Sequence, residues 1–97
     1  MIYYAEVFAR PYGGAWAVRD TPDKALKAAR STACNTARTE RASYVLEFPD
    51  DADVTSANPL YGGWLVSNGI PPTRVVSRNR LDASVTDNQL LGRTDSV

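Results

Sequence analysis

TPDKALKAARSTACNTAR, residues 21–38, is the stretch whose reading decides the fold. Thr21 suits an N-cap, where its hydroxyl accepts from an otherwise unpaired backbone N–H. Pro22 then takes the first helical position, where it has no N–H to lose and its fixed φ matches the helix. Asp23 adds negative charge at the positive end of the helix dipole. With residues advancing by roughly 100° each, Pro22, Leu26, Ala29, Ala33 and Ala37 share one face. Lys24, Lys27, Ser31, Asn35 and Arg38 share the opposite face, with Arg30 to one side. A stripe made almost wholly of alanine buries little area but lets a helix lie close to a flat partner, and a β-sheet is the natural one. At roughly 25 cal/mol per Å2 of apolar surface removed from water, this stripe contributes only a few kcal/mol. Aromatic residues elsewhere must supply the rest of the core.

Working outward, the 97 residues are enough for one domain. Upstream, Ile2 to Ala9 (IYYAEVFA) reads as a strand. Ile2, Tyr4 and Phe8 fall on one of its faces, and Tyr3, Ala5 and Val7 on the other, so both faces need cover. Tyr12-Gly13-Gly14 supplies turn residues, and Ala15 to Arg19 returns as a second strand, making a hairpin. Downstream, Ala42 to Phe48 is a third strand, ended by Pro49.

Asn58 to Gly69 reads as a second helix, capped by Asn58 with Pro59 at its first position. The Gly62-Gly63 pair weakens that helix by roughly 1 kcal/mol per glycine relative to alanine, and a short strand over Trp64 to Ser67 is the rival reading. Thr73 to Arg78 is the fourth strand. Residues 81–97 read as a polar C-terminal tail with room for a short helical turn near Asp87 to Leu91. The expected fold is therefore α/β, on the border of α+β, in the order β-β-α-β-α-β. Residues 1–80 form the compact domain. Its sheet is four-stranded and mixed, with the second, third and fourth strands parallel, and Leu26 and Trp64 are its central helix contacts.

Charge and composition exclude several functions. Lys plus Arg equals Asp plus Glu at 11 each, so a dedicated nucleic-acid binder with a basic excess is not expected. The chain has no histidine; Ser-His-Asp and Cys-His catalysis and His-ligated zinc are thus excluded within it. Cys34 is the single cysteine, so no intrachain disulfide forms and a reducing compartment is compatible. No apolar run reaches membrane-spanning length, and the expected location is the cytoplasm. No cofactor is implied.

Three groups of residues are candidates for a site. Asp50, Asp51 and Asp53 form an acidic loop whose oxygens would suit Mg2+. Arg74, Arg78 and Arg80 alternate along the last strand and would project from one face, where they could join Lys24, Lys27, Arg30 and Arg38 in a basic patch. Tyr12, at the hairpin tip beside Arg10, could anchor a protein contact, since tyrosine and arginine dominate interface energetics.

Two local resemblances accompany these readings. DTPDKALKAAR, Asp20 to Arg30, resembles the strand-to-helix passage of the small HicB-like antitoxin fold. WLVSNGIPPTRVV, Trp64 to Val76, is similar to the helix-to-strand turn of OmpA-like peptidoglycan-binding domains. Both imply local geometry and neither implies a function. The expectation is a small non-enzymatic module that binds a larger protein. Compact orphan-like domains of this kind are often accessory or inhibitor proteins of phages and mobile elements, anti-CRISPR-type inhibitors among them. Nucleic-acid binding through the basic helix face and last strand is the first alternative, and a metal-dependent enzyme at the acidic loop is the second.

Overall fold

Strand β1 (Ile2–Arg10) occupies the middle of the molecule. It pairs antiparallel with β2 (Gly14–Arg19) on one side and with β3 (Thr39–Phe48) on the other. The computed structural model describes residues 1–35, 37–58, 63–66 and 68–92. Strand β6 (Arg74–Asn79) pairs antiparallel with β3, so the four-stranded sheet runs β2-β1-β3-β6. The expected α/β class holds, with a four-stranded sheet and two helices, α1 (Pro22–Ala33) and α2 (Asp87–Leu90).

The strand directions differ from the mixed sheet expected. β2 and β3 do run the same way, as a β-α-β crossover requires, but β1 lies between them and opposes both. The helix expected over 58–69 is where the larger change arises. Strands β4 (Val54–Asn58) and β5 (Gly63–Val66) pair antiparallel there as a separate two-stranded ribbon. A ribbon brings the chain back reversed, whereas a crossover helix would have restored its direction, so β6 opposes β3. Glycine is among the poorest helix formers, and Val54 and Thr55 are β-branched, so local propensity favours the ribbon. The rival strand over Trp64–Ser67 is the closer reading. Residues 59–62 and 67, and the side chain of Trp64, lie outside the described residues, as do 93–97 of the tail.

Tyr4 to Ala9 are all buried, because β1 has cover on both faces. On one face α1 lies against β1 and β2. Its contact stripe is Ala25, Ala29 and Ala33, one turn apart and at most 1% exposed. Leu26, expected as a central contact, is only half-buried beside this stripe. The Thr21 hydroxyl caps α1 by accepting from the Lys24 N–H, with Pro22 at the start as the sequence predicts. The helix stops at Ala33 rather than reaching Arg38. Asn35 takes over, its side-chain oxygen accepting from the Ala37 N–H in a local turn that competes with helix.

The other face carries the large side chains. Tyr4, Phe8, Tyr44, Leu46 and Phe48 form one cluster, with Leu90 and Leu91 seated on it and Leu81 and Val85 packed alongside. The polar segment from residue 81 thus contributes to the core. Its helical turn, α2, carries a reciprocal capping box between Thr86 and Gln89. Arg78 fastens this segment to the sheet by donating to Asp87 Oδ1 at 2.9 Å and to the carbonyls of Asp82 and Val85.

The packing of Leu90 gives a direct test. Leu90→Ala is expected to cost about 2–5 kcal/mol in urea unfolding, as truncation of a fully buried leucine does. Lys27→Ala on the exposed side of α1 should stay within about 0.5 kcal/mol. Equal, small effects would show that residues 81–92 are not part of the core.

Candidate functional site

Two irregularities in the sheet decide which charged side chains meet. Between Phe8 and Ala9 the β1–β3 register shifts, and Arg41 becomes the extra residue of a β-bulge. A bulge re-aims a side chain, and here the Arg41 guanidinium lies over the Phe8 ring, 5.5 Å from its centroid. The second shift lies between Val45 and Leu46 opposite β6, where Leu46 pairs with Val75 and Val45 with Ser77. Val76 is skipped, so the alternation of faces breaks within β6. Arg74 therefore faces the α1 side, opposite Glu47, whereas Arg78 faces the tyrosine side, opposite Tyr44.

This corrects the expectation that Arg74, Arg78 and Arg80 share a face. Arg80 lies beyond the strand with a φ of 58°. Nor do the basic residues of α1 join them, because β2 and β6 are opposite edges of the sheet. Arg19, Lys24 and Lys27 surround a shallow hollow against α1, and Lys24 pairs with Asp20 at 3.4 Å. Arg30 is held by Glu40, 2.5 Å from Nε to Oε1. Asn79 and Ser43 donate to the other oxygen of Glu40, tying α1, β3 and β6 together. Arg74 pairs with Glu47 through Nε and Nη2, and Tyr3 and Thr73 donate to the same carboxylate. Arg30, Arg74 and Arg78 therefore join segments of the fold.

A different set converges at the hairpin tip. The register places Arg10 opposite Thr39, so the end of β1, the β1–β2 turn and the start of β3 form one end of the sheet. A cleft of about 410 Å3 opens there, lined by Glu6, Phe8, Pro11, Tyr12, Gly13 and Arg41 among others. Tyr12 is 69% exposed. The Arg38 guanidinium, freed from the helix face by the early end of α1, lies 5.4 Å from the Tyr12 ring centroid. It also crosses Gly13, which has a φ of +92°; a Cβ added at Gly13 would come within 2.7 Å of Arg38 Nη1. The positive φ favours glycine at this position, and a side chain there would displace the end of Arg38 from its place. Among the described residues Arg10, Arg38 and Arg41 form no ion pair, and Arg19, Lys27 and Arg80 form none either.

Glu6 lies in the wall of this cleft and is 7% exposed. Its Oε1 accepts from the Tyr44 hydroxyl at 2.5 Å and from the Tyr4 hydroxyl at 3.1 Å. Trp16, opposite Glu6 on β2 and 43% exposed, stacks on Tyr4 with ring centroids 5.8 Å apart. Burial pushes the Glu6 carboxyl above its usual range, and the two phenol hydrogen bonds only partly offset this. Burial also raises both tyrosines. Glu40 and Glu47 shift the other way. Burial would raise Glu40, but hydrogen bonds from Arg30, Asn79 and Ser43 outweigh it. The Arg74 hydrogen bond is the main cause that lowers Glu47.

Of the sequence-derived candidates, the fold brings Lys24 and Lys27 together at the separate hollow on α1, and Tyr12 and Arg38 together at the tip. Glu6, Trp16 and Arg41 complete the site. The sequence does carry a sign of Glu6, a lone carboxylate inside a strand apolar on both faces. Nothing local marks Arg41, because its orientation comes from a bulge set by pairing with β1. At the acidic loop, Asp50 pairs with the Met1 amino group, and Asn68 bonds the backbone of Asp51 and Asp53. Among the described residues no group of three or more Asp, Glu, Cys or His is close enough to hold a metal ion. No described helix is long and apolar enough to cross a membrane.

The chain matches no protein-family model, no curated protein and no solved structure. What the tip can do therefore follows from its chemistry: exposed tyrosine and tryptophan, three arginines without ion pairs among the described residues, and a concave wall that includes the buried Glu6 carboxyl group.

The opposed shifts of the glutamates predict a particular pH profile. A raised acid is protonated more readily in the folded state, so its stabilising contribution is present below the ordinary value of 4.5 and is lost as pH rises through the folded value. Lowered acids contribute above 4.5 and lose that contribution as pH falls. Glu6→Gln should therefore remove the decline in unfolding free energy that begins above 4.5, and leave in place both the acid-side loss and the decline above the ordinary tyrosine value of 10 that the raised Tyr4 and Tyr44 cause. An unchanged slope above the ordinary glutamate range would show that Glu6 is not buried as described.

Proposed function

We propose that the protein is a non-enzymatic binding module that docks its hairpin-tip end onto an acidic surface of a larger protein, forming a stoichiometric complex. The observation that carries this reading is that Tyr12 and Arg41 line one cleft, with Arg38 over the Tyr12 ring and the exposed Trp16 opposite Glu6, while Arg30, Arg74 and Arg78 are engaged in ion pairs. Tyrosine, tryptophan and arginine are the residues most enriched at interface hot spots. Here Arg38 is already ordered against Tyr12 and Gly13, so less rotamer freedom is lost on docking. An inhibitor or accessory protein of a phage or mobile element, of the anti-CRISPR type, is the class that suits such a module. A cytoplasmic setting is part of the proposal, supported by a core that uses no disulfide around the free Cys34.

A phosphate backbone would also attract the tip arginines, but it favours a continuous basic track. The Arg19, Lys24 and Lys27 hollow is a separate group that begins where β2 ends, opposite Tyr3 at the far end of β1. This separation favours a compact protein contact.

The reading is tested by isolating the complex from the native host and measuring affinity with purified components. Arg38→Glu and Arg41→Glu should each weaken it by about 2 kcal/mol or more, while Lys24→Glu and Lys27→Glu leave it nearly unchanged. The reverse pattern would overturn the proposed surface. Salt-sensitive binding to random duplex or single-stranded nucleic acid that depends on Arg38 and Arg41 would replace the protein partner with a phosphate backbone.

A further inference from the structure

The cleft beside Tyr12 contains an acceptor without a donor. Glu6 is more than nine-tenths buried, and both phenol hydroxyls that reach it donate to the same oxygen, Oε1. Among the described residues no donor reaches Oε2. A buried polar group left without a partner costs roughly 1–3 kcal/mol, and more when charged. Such a group in the wall of a cleft is completed by whatever enters. Arg41 lines the same cleft with a guanidinium that stacks on Phe8 and forms no ion pair among the described residues. Its N–H donors thus lack a carboxylate where Glu6 lacks a donor.

We infer that this cleft is a subsite for a neutral primary carboxamide, an asparagine or glutamine side chain of the docked partner, whose N–H donates to Glu6 Oε2 and whose carbonyl accepts from Arg41. The pairing follows from elimination by charge. An ammonium or guanidinium group would satisfy Glu6 but would enter beside the Arg41 guanidinium. A carboxylate would satisfy Arg41 but would approach the buried Glu6 carboxylate. A carboxamide carries donor and acceptor on one planar group with no net charge and meets both. The cleft volume of about 410 Å3 lies within the range of small-ligand sites, and the Phe8 and Tyr12 rings offer apolar walls for the methylenes leading to the amide.

This subsite rests on the tip being the docking surface, but its test is separate because it needs no partner. Uniformly 15N-labelled protein is titrated at neutral pH with three capped single residues, N-acetyl-glutamine N-methylamide, N-acetyl-glutamate N-methylamide and N-acetyl-lysine N-methylamide. The glutamine probe should shift the amides of Phe8, Gly13, Gly14 and Arg41 in a saturable way, and bind at least about tenfold more tightly than either charged probe. Loss of one hydrogen bond at a buried partner is worth about that factor. Glu6→Gln and Arg41→Met should each remove the preference, and the second leaves the core untouched if the first proves unstable. The inference is overturned if no saturable shift appears at these residues up to the solubility of the glutamine probe. It is overturned equally if a charged probe binds as well, or if Arg41→Met leaves the preference intact. None of these failures would bear on Arg38 and Arg41 as contacts for an acidic partner, which the charge-reversal measurements address.

Discussion

Everything in this fold depends on β1 being a strand with neighbours on both edges and cover on both faces. A strand in that position has every backbone N–H and C=O committed to a ladder, and its side chains need two separate cores. The two solutions differ in kind. On one face the alanines of α1 allow backbone-to-backbone closeness with little side-chain volume, around Ala5, Val7 and Ala17. On the other, the volume comes from Tyr4, Phe8, Tyr44, Leu46 and Phe48, and the C-terminal segment closes over it through Leu90 and Leu91. Arg78 joins these parts by holding the closing segment to β6. Glu6 is the exception within the apolar strand, tolerated because Tyr4 and Tyr44 hydrogen-bond one of its oxygens.

Much of this arrangement was legible in the sequence. The N-cap at Thr21, the alanine stripe, the two-faced apolar character of Ile2–Ala9 and the hairpin at Gly13-Gly14 all follow from local chemistry, and local chemistry is what survives in the fold. The direction of β6 was not legible, because it depends on whether residues 54–66 form a helix or a ribbon. There glycines and β-branched residues outweighed the capping signal at Asn58-Pro59. The length of α1 was overestimated for a similar reason. The pattern continues to Arg38, but Asn35 offers the backbone a competing turn.

The candidate site was less legible than the fold. Counting cations on helical and strand faces suggested one broad basic patch. The fold instead divides the arginines by task, and the division is governed by two bulges that a period-of-two reading cannot anticipate. One bulge sends Arg74 and Arg78 to opposite faces, where each finds a carboxylate. The other turns Arg41 over Phe8 and into the cleft. Arg38 meets the Tyr12 ring at the same end of the sheet because α1 ends early. A chain with zero net charge thus keeps a local concentration of arginines without ion pairs among the described residues at one end of its sheet, beside the buried Glu6 carboxyl group.

The measurement that tests this account most directly is backbone amide hydrogen exchange along β1. A central strand donates to left and right neighbours alternately, so consecutive amides from Tyr4 to Phe8 should all be protected and should exchange only with global unfolding. If β1 were instead an edge strand of a mixed sheet, every second amide would face solvent. Alternating fast and slow exchange across Tyr4–Phe8 would contradict the β2-β1-β3-β6 order and, with it, the meeting of Glu6, Tyr44 and Arg41 on which the site rests.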